Sequence, residues 1–136
     1  MAETLHIKNE ISQLTHLDEF LLQSTGSLDL NPGIRMNLKL AIEEAVVNVI
    51  LYAYPGETDK DIFIHLEHSE KEVCIVITDY GIAFDPTDGE KPDILLPLEK
   101  RPVGGLGTFL IKQLMTKVSY CRTGNKNVLT MIKKIH

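Results

Sequence analysis

A carboxylate and an amide lie four residues apart in an otherwise apolar stretch, EEAVVNVILYAY at residues 43–54. Asn48 interrupts the apolar run, and a buried amide costs free energy unless a partner satisfies it. On a helix, Glu44 shares a face with Asn48 and with Asn37. This narrow polar stripe, bordered by apolar residues, either lines a pocket or faces solvent, and the helix alone leaves both interpretations open.

Two further stretches contain residue types suited to binding a small ligand. DYGIAFDP at residues 79–86 follows an apolar strand, so Asp79 stands at a strand end and Gly81 in a sharp turn. The same pattern is also typical of a plain turn. GGLGT at residues 104–108 begins a helix, where converging N–H groups and the helix dipole bind phosphate without basic side chains. It matches neither the Walker nor the Rossmann pattern.

Composition narrows the possible partners. The 136 residues fit one domain, and the net charge of -5 without a Lys/Arg block argues against a nucleic-acid binder. No apolar run reaches the roughly 18 residues of a membrane span and no signal-peptide pattern begins the chain, so we expect a cytoplasmic protein without a membrane partner. Cys74 and Cys121 are expected to be reduced, and the scattered histidines do not favour a zinc site.

The periodicity predicts elements that hold these stretches in place. Residues 4–10 alternate like an edge strand, and helices are expected over 11–26 and 32–53, the second capped by Asn31 with Pro32 at its first position. Two hairpins follow, separated by a long irregular segment and a helix that begins near residue 104. The predicted fold is therefore α+β, a two-layer α/β sandwich whose mostly antiparallel mixed sheet is covered on one face by about three helices.

The order of these stretches resembles the ATP-binding domain of the GHKL superfamily, which is shared by DNA gyrase, heat-shock chaperones, sensor histidine kinases and mismatch-repair ATPases. EEAVVNVILYAY resembles the N-box, DYGIAFDP the first glycine box and GGLGT the second. The resemblance implies one Bergerat-type domain over residues 1–136, with an ATP lid at about 82–105. Length and the wording GGLGTFLIKQLMTKVSY are most similar to the stand-alone anti-sigma-factor serine-protein kinases of bacteria.

The resemblance also implies roles for individual residues. Asn48 coordinates Mg²⁺ on the ATP phosphates, Glu44 accepts the proton of an attacking hydroxyl or positions it, and Asp79 accepts a hydrogen bond from the adenine amine. The residues that approach the base or hold the phosphates are then Gly81, Ala83, Gly104, Gly105, Gly107 and Thr108, with Thr130 near the adenine. Two positions depart from the family: Ala83 replaces a glycine, and Tyr52 replaces a frequent histidine.

By this resemblance the chain is an ATP- and Mg²⁺-dependent serine/threonine-protein kinase and anti-sigma factor in a partner-switching system. Its expected partners are a small antagonist protein that it phosphorylates, a sigma factor, and a second copy of itself, joined near the edge strand at 4–10. The alternative is an ATP-dependent module that sequesters a partner with little or no phosphoryl transfer. Glu44 favours the kinase, because a pure binder does not need a carboxylate beside a metal ligand.

Overall fold

Five strands form one antiparallel sheet in the computed structural model, which describes residues 2–87 and 105–136, with the backbone alone for residues 105–108. The strands are β1 (Ala2–Lys8), β2 (Asp61–His68), β3 (Glu72–Asp79), β4 (Lys117–Thr123) and β5 (Lys126–Lys134). Their order across the sheet is β1-β2-β3-β5-β4. All four neighbouring pairs of these strands are antiparallel, where the sequence had indicated a mostly antiparallel mixed sheet.

The helices cover one face of this sheet. A 3-10 turn at Ile11–Gln13 leads into α1 (Leu14–Ser24); α2 spans Pro32–Asn48 and α3 spans Gly105–Leu114. As predicted, Asn31 caps α2: its side chain accepts a hydrogen bond of 2.8 Å from the N–H of Ile34. None of the helices in the described part of the chain is both long and apolar enough to cross a membrane.

The core lies between α2 and the three central strands. Alternate residues of these strands are buried because successive side chains point to opposite faces, and the buried set is Ile62, Ile64, Leu66, Val73, Ile75, Ile77, Leu129 and Met131. Helix α2 meets them with Leu38, Ile42 and Ala45, and Val49 adds to this apolar set just after the helix ends. Asp79 and Asn127 stand at buried positions of the same alternation, so the core carries two polar groups at one end of β3 and β5.

Most of the predicted elements are confirmed, with one difference. β1 is an edge strand and β3 is central, as expected. The helix predicted over 32–53 changes after Asn48 into a π-helical turn, Val49–Ala53. No pattern in the sequence indicates this change. Of the expected lid at 82–105, residues 88–104 lie outside the described residues.

Candidate functional site

The fold brings Asn48 and Asp79 together on the wall of one small cavity between the end of α2 and the sheet. The cavity volume is only about 10 Å³, so in this form it has room for about one water molecule. Its other lining residues come from both layers and from the start of the segment after β3: Ala45, Val49, Ile77, Phe84, Pro86, Tyr120, Asn127 and Leu129. Two residues selected from separate stretches of the sequence therefore share one enclosed site.

Asp79 is 2% exposed, and its two carboxylate oxygens differ in their contacts. Oδ1 accepts hydrogen bonds from the N–H of Gly81 at 2.9 Å and from Nδ2 of Asn127 at 2.8 Å. Oδ2 accepts no hydrogen bond from any residue that the structure describes. Burial raises the pKa of Asp79 above its ordinary value, although the bonds from Asn127 and Gly81 and the charge of Arg122 work in the opposite direction. One oxygen fixes the turn, and the other remains available to a donor.

Gly81 is required by packing rather than by an unusual backbone angle. A Cβ atom placed on it would lie 2.2 Å from the carbonyl oxygen of Ala53 and 2.9 Å from the Ala53 Cβ. This close approach lets the N–H of Ile82 donate to the same carbonyl at 2.9 Å. The D-x-G pattern is therefore the place where the strand end docks against the π-helical end of the Asn48 helix.

Further hydrogen bonds hold the turn after β3 from both sides. The hydroxyl of Tyr54, a residue that is 3% exposed, accepts from the N–H of Tyr80 at 2.7 Å and donates to the carbonyl of Asp61 at 2.8 Å. From the other side, Arg122 donates to the carbonyl of Gly81 at 2.8 Å. The side chains of Tyr54 and Arg122 thus hold the main chain of the turn from both sides, and this fixes the position of the Asp79 carboxylate.

Asn127 lines the same cavity, and the sequence analysis did not select it. Its Nδ2 donates to Asp79 and, at 2.8 Å, to the carbonyl of Ile82, while its Oδ1 accepts from the N–H of Phe84 at 3.3 Å and from the Tyr120 hydroxyl. It therefore joins the carboxylate to the first residues of the expected lid. One signal was present: asparagine is disfavoured in strands, and this one occupies a position in phase with Leu129 and Met131.

Asn48 and Glu44 keep the relation that their spacing predicts. Asn48 is 4% exposed, and its Nδ2 has no hydrogen-bond partner among the described residues. An amide carries a donor and an acceptor end, so rotation about the last side-chain bond lets this buried end present its oxygen instead. Glu44, one turn earlier, is half-buried and makes no hydrogen bond or ion pair within residues 2–87 and 105–136. The amide fits an oxygen ligand for Mg²⁺, which takes few protein ligands.

Two of the other predicted residues, Thr130 and Ala83, do not line the cavity. Thr130 was placed near the adenine, but it lies on the face of β5 opposite to Asn127 and Leu129, paired with Val76 and Ser119. Side chains alternate across a strand, so the cavity receives Asn127 and Leu129 instead. Ala83 lies on the same turn and is exposed.

The phosphate-binding candidates of the second glycine box belong only in part to the residues that the structure describes. Gly104 lies outside the described residues, whereas the backbone of Gly105, Gly107 and Thr108 forms the first turn of α3. The predicted helix start within the glycine stretch is thus confirmed. The part that these residues take in binding stays a prediction.

The chain matches the family described as "Histidine kinase-like ATPase domain" over residues 7–133. It is similar to the serine/threonine-protein kinase BtrW of Bordetella bronchiseptica, with 32% identity over 98 residues, 72% of this chain and 69% of that protein. It is also similar to the serine-protein kinases RsbW of Halalkalibacterium halodurans and Listeria monocytogenes. These relatives are 36% and 32% identical, over 60% and 69% of this chain and 52% and 63% of theirs. The match thus spans about half to two thirds of these relatives' length.

Solved structures share the same architecture. The RsbU and RsbW domains of a Mycobacterium tuberculosis protein match with a TM-score of 0.66 and 13% identity, over 98% of this chain and 32% of that one. The histidine kinase domain of a blue-light-activated kinase from Erythrobacter litoralis matches with a TM-score of 0.57 and 13% identity, over 91% and 60%. At such identities the likeness concerns the fold, and it agrees with the two-layer sandwich described above.

Proposed function

Since the chain belongs to the family of histidine kinase-like ATPase domains, we propose that it is an ATP- and Mg²⁺-dependent serine/threonine-protein kinase that acts as an anti-sigma factor in partner switching. Its substrate is a small antagonist protein, phosphorylated on Ser or Thr. One observation carries the proposal: a single cavity holds the Asp79 carboxylate, with one oxygen unused by the described residues, and the unpartnered amide of Asn48. The kinase names of the relatives support the reaction type.

The adenine is recognised by Asp79. Its Oδ1 is engaged by Gly81 and Asn127, so Oδ2 is left to accept a hydrogen bond from the exocyclic amine of the base. An ionised acceptor makes such a bond roughly twice as strong as a neutral one. Ala45, Val49 and Leu129 supply the apolar surface around the base. Specificity for adenine arises because guanine presents an oxygen acceptor, not an amine donor, at the corresponding ring position.

The phosphate end is held by residues on α2 and α3. Asn48 would hold Mg²⁺, and the metal would supply positive charge that offsets the negative charge of the phosphates. The backbone N–H groups at the start of α3, from Gly105 to Thr108, together with Gly104, receive the phosphates through the helix dipole. Residues 82–105 act as the lid, and Asn127 holds its described beginning through Ile82 and Phe84.

Glu44 is the catalytic base in this proposal. Located one turn before Asn48, it accepts the proton of the substrate hydroxyl, or orients that hydroxyl, as phosphoryl transfer proceeds. The protein's main contribution is positioning and electrostatics. The second candidate function, ATP-dependent sequestration of a partner without transfer, uses the same cavity but gives Glu44 no chemical task.

Phosphoryl transfer distinguishes the two candidates. Purified protein is incubated with Mg²⁺, γ-labelled ATP and the antagonist protein encoded nearest to its gene. The kinase proposal expects label on the antagonist, reduced at least about 100-fold by Glu44→Gln, which is the usual scale for a general base. Glu70→Gln is the matched control, since Glu70 is an exposed carboxylate in the β2–β3 turn. Its transfer rate should equal that of the wild type.

Equal transfer by Glu44→Gln and wild type would remove Glu44 from catalysis. ATP binding without any transfer would leave sequestration as the function. The proposal also places the protein in the cytoplasm, where ATP is available. The partner that it sequesters is a sigma factor. Two copies of the chain form a homodimer through the edge strand β1. Light scattering of the purified chain tests the dimer, and a monomer at micromolar concentration would exclude it.

A further inference from the structure

Helix α2 is apolar on its outer side as well as on the side that packs against the sheet. Met36, Leu40 and Val47 recur there at spacings of four and seven residues, and Leu51 continues the row four residues later in the π-helical turn. A surface helix normally places polar residues on the side away from the core. We refer to these four residues as the outer apolar strip, whose composition is typical of a surface that binds a partner.

The strip concentrates exposed apolar surface in one place. Met36, Leu40 and Leu51 are 52%, 43% and 50% exposed, and they are three of the seven large hydrophobic residues exposed in the described part of the chain. Single exposed apolar residues are normal on soluble proteins, whereas a continuous row marks an interaction site. From residue 36 to residue 51 the row is roughly 22 Å long, at about 1.5 Å per residue. A surface of this length fits a protein segment better than a small molecule.

Glu44 lies between this strip and the candidate nucleotide site. At about 100° per residue, Asn48 is about 40° to one side of Glu44 around α2, and Leu40 is about 40° to the other side. The burial of these residues agrees with this order, because Asn48 is 4% exposed and lines the cavity, Glu44 is half-buried, and Leu40 is 43% exposed. Across the surface of the helix, the cavity is therefore followed by the proposed base and then by the strip.

We propose that the outer apolar strip is the docking surface for the protein substrate, and that an apolar segment beside the phosphorylated Ser or Thr covers Leu40 and Leu51. This inference rests on the proposed kinase function. In the transfer, the substrate hydroxyl oxygen bonds to the γ-phosphorus, the bond from that phosphorus to ADP breaks, and Glu44 takes the hydroxyl proton.

The geometry of this transfer brings the substrate to the strip. The hydroxyl must come within about 2.6–3.2 Å of the Glu44 carboxylate. Nucleophile and leaving group lie in line on opposite sides of the transferred phosphorus. The hydroxyl therefore approaches from the side of Glu44 that is away from the nucleotide, and this is the side on which Leu40 and Leu51 are exposed.

The surroundings of the strip define the chemistry of the docked segment. Glu44 has no ion pair among the described residues, so it would repel an acidic segment but not an apolar one. A permanent contact through Leu40 and Leu51 would bury Glu44 and keep the hydroxyl out. The strip therefore fits a substrate that binds and leaves, rather than a second copy in a stable homodimer.

Leu40→Gln and Leu51→Gln test the proposal in a transfer assay with Mg²⁺, ATP and the antagonist protein encoded nearest to the gene. Glutamine keeps a high helix propensity but makes the strip polar. Each variant should raise the KM for the antagonist at least about tenfold through the lost apolar contact. The kcat should stay within about twofold, because that contact is equal in the ground state and the transition state. The dissociation constant of ATP, measured by calorimetry, should also stay within about twofold.

Leu22→Gln is the matched control. Leu22 is 65% exposed on α1 and lies outside the strip, so this variant should have the KM of the wild type. NMR of the leucine methyl groups adds a measurement that does not depend on transfer. The antagonist should shift the signals of Leu40 and Leu51 and leave those of Leu22 in place.

Transfer by the wild type with an unchanged KM in both variants would exclude the strip as the docking surface and leave the proposed kinase function intact. A lower kcat at unchanged KM would mean that the leucines support the site and do not bind the substrate. A wild-type dimer that becomes monomeric in the variants, again at unchanged KM, would make the strip a self-contact.

Failure of the kinase function itself gives a different result. If the wild type transfers no phosphoryl group to the antagonist, that function is excluded and the methyl signals decide the inference. Shifts at Leu40 and Leu51 would then support docking of the antagonist on the strip, and their absence would refute it. Should one variant fail to fold, the other provides the same test.

Discussion

Replacing Asp79 by asparagine separates its structural task from its proposed binding task. Both hydrogen bonds that hold the turn, from Gly81 and Asn127, go to Oδ1, and an asparagine keeps an oxygen there. The other terminal atom becomes an NH₂ group. This NH₂ group would face the amine of the adenine. Two hydrogen-bond donors would then oppose each other, whereas in the wild type the amine donates to an ionised carboxylate oxygen.

The expected loss follows from these two changes. A hydrogen bond to a charged group contributes about 1.5–3 kcal/mol, and leaving donors unsatisfied costs about 1–3 kcal/mol more. A total of about 2.5–6 kcal/mol corresponds to roughly 60- to 20,000-fold weaker ATP binding at about 1.4 kcal/mol per tenfold. Isothermal calorimetry with ATP and Mg²⁺ measures this directly. A dissociation constant within threefold of the wild type would refute the assignment of Asp79 to the adenine.

Asp79→Asn should weaken ATP binding without lowering the free energy of unfolding. The pKa of Asp79 is raised in the folded protein, so the folded state binds more protons than the unfolded state between the two pKa values. The free energy of unfolding therefore falls as pH rises through that window, and the loss persists at neutral pH. Asp79→Asn removes this loss, so urea unfolding at pH 7 should show at least wild-type stability. In the wild type, ATP affinity should fall on acidification through the raised pKa, and the variant should lack this dependence.

Four further substitutions test the framework around the site. Gly81→Ala should destabilise the fold by about 2–4 kcal/mol in urea unfolding, because its Cβ would overlap the Ala53 carbonyl and disturb the bond from Ile82. Ala83→Gly, on the same turn but exposed, should change stability by less than about 1 kcal/mol. Asn127→Ala should cost about 2–4 kcal/mol by leaving several polar groups unsatisfied. It should also raise the pKa of Asp79 further in a carboxyl NMR titration, since the donor that lowers it is lost. Asn31→Ala should cost about 1 kcal/mol of stability through the lost cap and leave the ATP dissociation constant within twofold.

The local sequence determined much of the fold because its signals are local. Alternation over β2 and β3, the Asn31 cap and the glycines at the start of α3 each depend on residues within a few positions of one another. The order of the three motifs then indicated the family, which the match over residues 7–133 confirms. Asn48 and Asp79 could be selected in this way, since each is a polar residue at a buried position of a regular pattern.

Only the tertiary structure decided which strand residues complete the site. Thr130 was the prediction for β5, yet a shift of one position along a strand reverses the face of every side chain, and the register places Asn127 and Leu129 at the cavity. Gly81 looked like a turn residue, but contact with Ala53, 28 positions earlier in the chain, is what excludes a side chain there. Such contacts join residues far apart in sequence. Their distances depend on how α2, β3 and β5 pack together, and no local pattern encodes that packing.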